Sequence, residues 1–293
     1  MAGALLLSML LAGAPPSAGE PAPLDQDLLD KERQTEVAQL APAKAKLIEL
    51  LVGGDDAKAA LYGKPLLRWS NPTAGSVYGE VFLWTVDNRP AAIASIYRWY
   101  HPYKDSTVEF VSVSEQGLNA KDEVKAQWST KFPGLQFADL VGAPPPAESA
   151  RGRLSQMRSL AREFIAELTD KRGGDQVERE LRLLDQPLYR FECPQRKVVD
   201  GGLFAFVEGT DPEAWLLFEA VAAEGGSRWR FALARMNIDP LRVRRSRTVV
   251  KEWSGLREAW SDRSQPYVMF NFDPGKLLTD NAAQPAVPRK ETR

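Results

Sequence analysis

The feature that most constrains this chain is an internal repeat. The segment from Pro65 to Arg98 aligns without gaps on Pro187 to Ala220, 122 positions further on. The paired identities are Pro65/Pro187, Leu66/Leu188, Arg68/Arg190, Pro72/Pro194, Val77/Val199, Gly79/Gly201, Phe82/Phe204, Pro90/Pro212 and Ala92/Ala214. Trp69/Phe191 and Trp84/Phe206 are aromatic replacements. Nine identities exceed the roughly two expected from ordinary residue frequencies, and shared Pro and Gly positions mark turns rather than composition. The pattern is that of a duplication.

The likeness extends outward with small changes of offset, as loop insertions would produce. Gly53-Gly54-Asp55 answers Gly173-Gly174-Asp175, Trp128-Ser129 answers Trp253-Ser254, and Leu135-Gln136-Phe137 resembles Val268-Met269-Phe270. A duplicated unit therefore predicts one architecture used twice.

Each unit reads as a helix followed by a β-meander. The clearest helix is predicted over residues 149–170, where Leu154, Met157, Leu160, Ala161, Phe164, Ile165 and Leu168 recur at three- and four-residue steps. A shorter helix with Val177, Leu181 and Leu184 on one side follows. In the first unit the counterparts are a helical stretch with Leu47, Ile48, Leu50 and Leu51 and a short one over residues 57–61. Pro42 sets off a separate N-terminal helix over residues 28–40.

Strands follow near residues 65–71, 77–87, 91–100, 106–114, 122–128 and 134–139, and again near 187–193, 202–208, 213–222, 228–237, 241–252 and 266–272. They are rich in β-branched and aromatic residues and are divided by turn formers such as Asp87-Asn88-Arg89-Pro90 and Glu224-Gly225-Gly226. Such short connections favour antiparallel pairing. The expected class is α+β, arranged either as two packed units or as one continuous curved sheet or half-barrel.

The expected boundaries are a signal peptide at 1–19, an N-terminal helical segment at 20–46, repeat unit 1 at 47–140, a Pro-rich linker at 141–148, repeat unit 2 at 149–273, and a disordered tail at 274–293. The leader has an apolar core followed by small residues, with cleavage expected after Ala18 or Gly19, although it lacks a Lys or Arg before Leu5. The apolar run is too short to span a bilayer, which takes about 20 residues. Export to the periplasm or beyond is the expectation.

At PLLRWSNPTAGSVYGEVFLW, with LRLLDQPLYRF and LFAFVEGTDPEAWLLFEA in the second half, the chain resembles a group of predicted-secreted proteins of planctomycete-type bacteria to which no activity is assigned. The likeness spans most of residues 60–273. It implies export and domain extent and carries over no site residue. The helix-plus-meander unit is also similar in outline to cystatin-like and lipoprotein-carrier half-barrel folds.

The chemistry that the sequence offers is sparse. Cys193 is the one cysteine and His101 the one histidine, so neither a disulfide framework nor a His or Cys metal site is expected. No phosphate-cradling glycine loop or nucleophile elbow occurs, and no cofactor is called for. A net charge of -1 carries no global signal for nucleic acid or membrane.

Three local features remain. Arg242, Arg244, Arg245 and Arg247 form a cationic stretch suited to an anionic polymer or an acidic glycan, against the plainer reading of a charged edge strand. Tyr97, Trp99, Tyr100, His101 and Tyr103 form an aromatic run, with Tyr100 and His101 the candidates for ligand contact. Glu80 and Glu109 are the carboxylates that could serve a glycoside hydrolase if they converged. The reading that results is an exported binding protein rather than an enzyme. The alternatives are a carrier of an apolar ligand or lipid in a half-barrel, and the carboxylate hydrolase.

Overall fold

The structure, a computed structural model, describes residues 26–53, 57–122, 127–171, 176–275 and 277. The expected leader, the tail beyond residue 277, and most of the two Gly-Gly-Asp stops lie outside the described residues.

The first copy runs through α1 (Gln26–Lys46), β1 (Ile48–Val52), β2 (Ala57–Lys58), β3 (Ala60–Leu61), β4 (Leu67–Ser70), β5 (Ser76–Val86), β6 (Arg89–His101), β7 (Ser106–Ser112), β8 (Leu118–Asp122), β9 (Gln127–Ser129) and β10 (Ala138–Asp139). The second runs through α2 (Ala150–Ala161), β11 (Phe164–Asp170), β12 (Val177–Leu183), β13 (Tyr189–Cys193), β14 (Val198–Glu208), β15 (Asp211–Ala223), β16 (Gly226–Arg235), β17 (Leu241–Arg245), β18 (Thr248–Trp253) and β19 (Tyr267–Phe272). All the strand pairs are antiparallel, so the α+β class with curved, duplicated sheets holds.

The repeat appears at the level of hydrogen-bond register. Val81 faces Ser95 across β5 and β6, while Leu203 faces Leu217 across β14 and β15, each 122 positions on. Pro90 and Pro212 both stand opposite a register shift, between Trp84 and Thr85 in one copy and between Phe206 and Val207 in the other. Proline is tolerated within a sheet at such irregularities. The shared glycines have an equally local cause. Trp69 lies across from Gly79 and Phe191 across from Gly201, and a Cβ at either glycine would come within 2.4 Å of the aromatic ring.

Several predicted helices are strands. Phe164, Ala166, Leu168 and Asp170 are buried while the residues between them are half-exposed, a period of two. Pairing with β12 on one side and β17 on the other overrides the local helical spacing. Residues 177–183, 48–52 and 57–61 are strands for the same reason. Conversely, α1 continues through Pro42 to Lys46 because Val37, Ala41 and Ala45, one turn apart, are all buried against the sheet. The predicted strand at 241–252 is a hairpin, β17 and β18, turning at Ser246 and Arg247.

The layers are helix, sheet, sheet, helix. One face of the first sheet packs against α1 through Phe82, Trp84, Ile96 and Phe110, and one face of the second packs against α2 through Phe204, Phe206, Phe218 and Leu216. The remaining faces meet each other, with Val81, Leu83, Ile93 and Val111 against Leu203, Ala205, Leu217 and Ala234. The outer face of each sheet is thus covered by the chain's own helix, joined in the first copy by Ile48, Leu50, Leu118 and Trp128 of β1, β8 and β9.

The last strand of each copy crosses over. β10, at the end of the first copy, pairs with β16 of the second, and β19, at the end of the second, pairs with β7 of the first. The two exchanges differ in extent: β19 pairs at six positions, Tyr267↔Val111 through Phe272↔Ser106, whereas β10 pairs at two, Ala138↔Phe231 and Asp139↔Arg230. These registers make Phe137 the counterpart of Met269, one residue away from the match read in the sequence.

Candidate functional site

The seam between the two sheets has two ends that the repeat makes equivalent, and they have different contents. At one end Tyr97, Thr107, Asp211 and Met269 meet around a cleft of about 300 Å³. Their counterparts at the other end, given by the sheet registers, are Glu219, Arg230, Arg89 and Phe137.

That second end is closed by ion pairs. Glu219, wholly buried, accepts from Arg89 Nε at 2.6 Å and from Arg230 Nε at 2.8 Å, and Glu115 accepts from Arg89 Nη2 at 2.8 Å. Both guanidinium groups lie against the Phe137 ring, at 5.2 and 4.2 Å from its centroid. Burial works against the charge on Arg89, but the Glu219 and Glu115 carboxylates outweigh it and hold its pKa above the ordinary arginine value.

The cleft has the complementary half of this chemistry. Its walls are aromatic, formed by Trp69, Tyr97, Trp99, Tyr103, Trp260 and Tyr267, and five carboxylates line it: Asp105, Glu109, Asp211, Glu213 and Asp239. No lysine or arginine is among the described lining residues. The walls are braced from behind: Trp69 Nε1 donates to Ser95 Oγ at 2.9 Å, and Trp99 and Tyr103 meet edge to face with centroids 5.1 Å apart. Asn237 Nδ2 donates to Glu213 Oε2 at 2.5 Å.

Glu109 is buried, and accepts a hydrogen bond from the Tyr267 hydroxyl. Burial pushes its carboxyl up to about 8; the Tyr267 bond opposes this and the nearby Glu213 charge adds to it. Tyr97 is likewise raised well above a free tyrosine, by burial first and then by Glu109, Asp211 and Glu213. Behind them Arg235 donates to the carbonyls of Asn237, Ser254 and Asp239, so its guanidinium is committed to the backbone. Among the described residues no group of three or more His, Cys, Asp or Glu side chains is placed to hold a metal ion.

The residues singled out in the sequence are scattered. Glu109 reaches the cleft, with Tyr97, Trp99 and Tyr103. Glu80 does not: it shares a sheet face with Ile96 and Val108, whereas Glu109 shares the opposite face with Ser95 and Val81. The two carboxylates therefore form no pair across one cleft. Glu80 accepts from Arg68 Nε at 2.7 Å, and burial raises its pKa.

Tyr100 turns toward α1, where its hydroxyl donates to Glu36 at 2.7 Å, and His101 is exposed at the end of β6. Arg242 pairs with Glu252, Arg244 with Glu167 and Arg245 with Glu163, while Arg247 is exposed in the turn. β17 lies between β11 and β18, so it is not an edge strand.

Asp105, Asp211, Glu213, Asp239, Trp260 and Tyr267 were not singled out by the sequence, because they come from five different connections and strands. The usable signal was charge mismatch between the copies, as at Asp211/Arg89, Glu213/Ala91 and Glu109/Ala232.

No helix among the described residues is long and apolar enough to cross a membrane. No protein-family model, curated protein or solved structure matches the chain.

Proposed function

We propose that this is an exported binding protein whose ligand presents an organic cation, an ammonium or guanidinium group, to the cleft at the open end of the seam. The observation that carries this reading is the closed end of the same seam, where Arg89 and Arg230 fill the equivalent space between an aromatic ring and carboxylates. The open end has aromatic walls and acids of its own, from other positions, and no arginine among its described lining residues. Aromatic faces attract cations most strongly when water is excluded, and carboxylates give such a site its sign.

The anionic-polymer reading has less support, since three of the four arginines behind it already face carboxylates of their own sheet. A lipid carried inside a half-barrel has less as well, because α1 and α2 pack on the apolar sheet faces that would have to hold it.

Titration calorimetry with L-arginine amide, choline and a neutral oligosaccharide tests the proposal. The two cations should bind, more weakly as salt rises, and Asp211→Asn with Glu213→Gln should reduce affinity at least tenfold. Grafting the closed end's arginines onto the open one, as Thr107→Arg with Asp211→Arg, should abolish binding. Preferential, salt-independent binding of the neutral sugar would overturn the cation assignment.

A further inference from the structure

The unequal exchange of β10 and β19 leaves one strand edge open. In the first copy β19 covers β7 from Ser106 to Val111, and residues 263–265 then reach β9: Trp128 Nε1 donates to the Gln265 carbonyl, and the Ser129 and Lys131 amides donate to Arg263 and Ser264. In the second copy β10 covers only Arg230 and Phe231 of β16. Beyond that point the chain stands off. The Gly134 and Leu135 amides donate to the Ser114 carbonyl instead. A groove of about 560 Å³ is lined both by this segment and by β16 from Phe231 to Arg235.

The direction of the free backbone groups follows from the ladder. The Met236 amide donates to the Glu213 carbonyl and the Leu140 amide to the Trp229 carbonyl, so the even-numbered residues of β16 bond toward β15 and the odd-numbered ones away from it. Leu233 thus offers its N–H and C=O to the groove, where among the described residues no strand is paired with it. The opposite wall is Val250, Trp253 and Leu256, and the charged groups lining the groove are Lys251 and the backbone-bound Arg235.

We propose that this edge of β16 is a docking site for an extended, largely apolar segment of another polypeptide, which adds as an antiparallel strand. The occupant's form is given by the chain's own first copy, where Gln265-Pro266-Tyr267-Val268 lies on the equivalent edge, ahead of the positions that Phe137 and Ala138 already fill in the second copy. Strand addition of this kind takes affinity from main-chain hydrogen bonds and specificity from alternate side chains, and open edges that are not protected recruit such partners. This inference is independent of the cation cleft: it uses a different edge and different residues.

The probe is a labelled, end-capped tetrapeptide with the sequence of residues 265–268, titrated into the full chain and followed by fluorescence anisotropy. In the β19–β7 ladder the Ser112 amide donates to the Pro266 carbonyl, so the amides of Val268 and Phe270 face the partner strand and those of Tyr267 and Met269 face away. N-methylation at the Val position of the peptide, opposite Leu233, should weaken binding at least tenfold, and methylation at the Tyr position by less than threefold. Hydrogen exchange should slow at Leu233 and Arg235.

Three results would overturn the proposal: absence of saturable binding, equal loss in the two methylated series, or faster exchange at Val108 and Phe110. The last would show that the peptide displaces β19 rather than filling a vacant edge.

Discussion

The two copies share strand order and register, and they differ where each meets the outside. The first copy has a fully covered sheet edge, the second a half-covered one; one end of the seam is plugged by arginines, the other is a cleft. Positions held in common, such as Gly79/Gly201 and Pro90/Pro212, are explained by close ring contacts and register shifts inside the sheets. Positions that break the repeat decide what is left accessible. Duplication followed by unequal filling is a physical route to a site, because the occupied version of each feature shows what the vacant version would accept.

The sharpest way to break the comparison is to remove the two exchanged strands in turn. Truncation after Ser264 deletes Tyr267, Val268, Met269 and Phe270, all buried. At about 1.5–3 kcal/mol for each buried side chain, the loss is comparable with the whole stability of a domain. The truncated chain should give no cooperative thermal transition, whereas Ala138→Pro in the short, exposed β10 should leave one.

Next in size are the seam ends. Arg89→Ala removes one of the two guanidinium groups on buried Glu219 and should cost about 3 kcal/mol or more in a urea titration. Asp211→Ala at the equivalent open position should cost about 1 kcal/mol or less. Equal losses would remove the distinction between a structural end and a binding end.

Smaller again is the glycine contact. Gly201→Ala presses a methyl group into the Phe191 ring and should destabilise by about 1–3 kcal/mol, visible as a lowered Tm. Gly79→Ala should lose a similar amount and also move Trp69, a wall of the cleft, so it alone of the pair should weaken cation binding.

The last effect is a pH dependence. The folded pKa of Glu109, about 8, lies above that of a free glutamate, 4.5. Its contribution favours the fold below that free value and is lost as pH rises through 8. Glu109→Gln should therefore flatten the fall in Tm between pH 6 and 9, leaving the variant relatively more stable at the alkaline end. A fall of the same steepness in the variant would mean that Glu109 is not the group responsible.

Much of the fold was legible because turns and ring-over-glycine contacts leave marks at fixed spacing. The α+β class, the meanders and the repeat register follow from Pro, Gly and alternating apolar residues. Residues 164–170 were misread because Phe164, Ile165 and Leu168 satisfy helical spacing as well as strand alternation, and only flanking partners decide between them. The exchange of β10 and β19 left no local mark, since each has the same apolar pattern whichever sheet it joins.

The cleft was less legible still. Its aromatic side was visible in Tyr97, Trp99 and Tyr103, but its acids are single residues on separate connections, unremarkable until the two sheets stack. Glu109 looked like half of a catalytic pair because its neighbour in composition, Glu80, sits on the other face of the same sheet.

The crossing of the terminal strands also sets an order of events during synthesis. Glu109 and its partner Tyr267 are 158 residues apart, and β7 cannot gain its outer neighbour until almost the entire described chain has emerged from the ribosome. The N-terminal half must wait, with one edge bare, for the C-terminal half to arrive. Contacts of such long range slow folding, so completion of the first copy and completion of the whole molecule should be the same kinetic step.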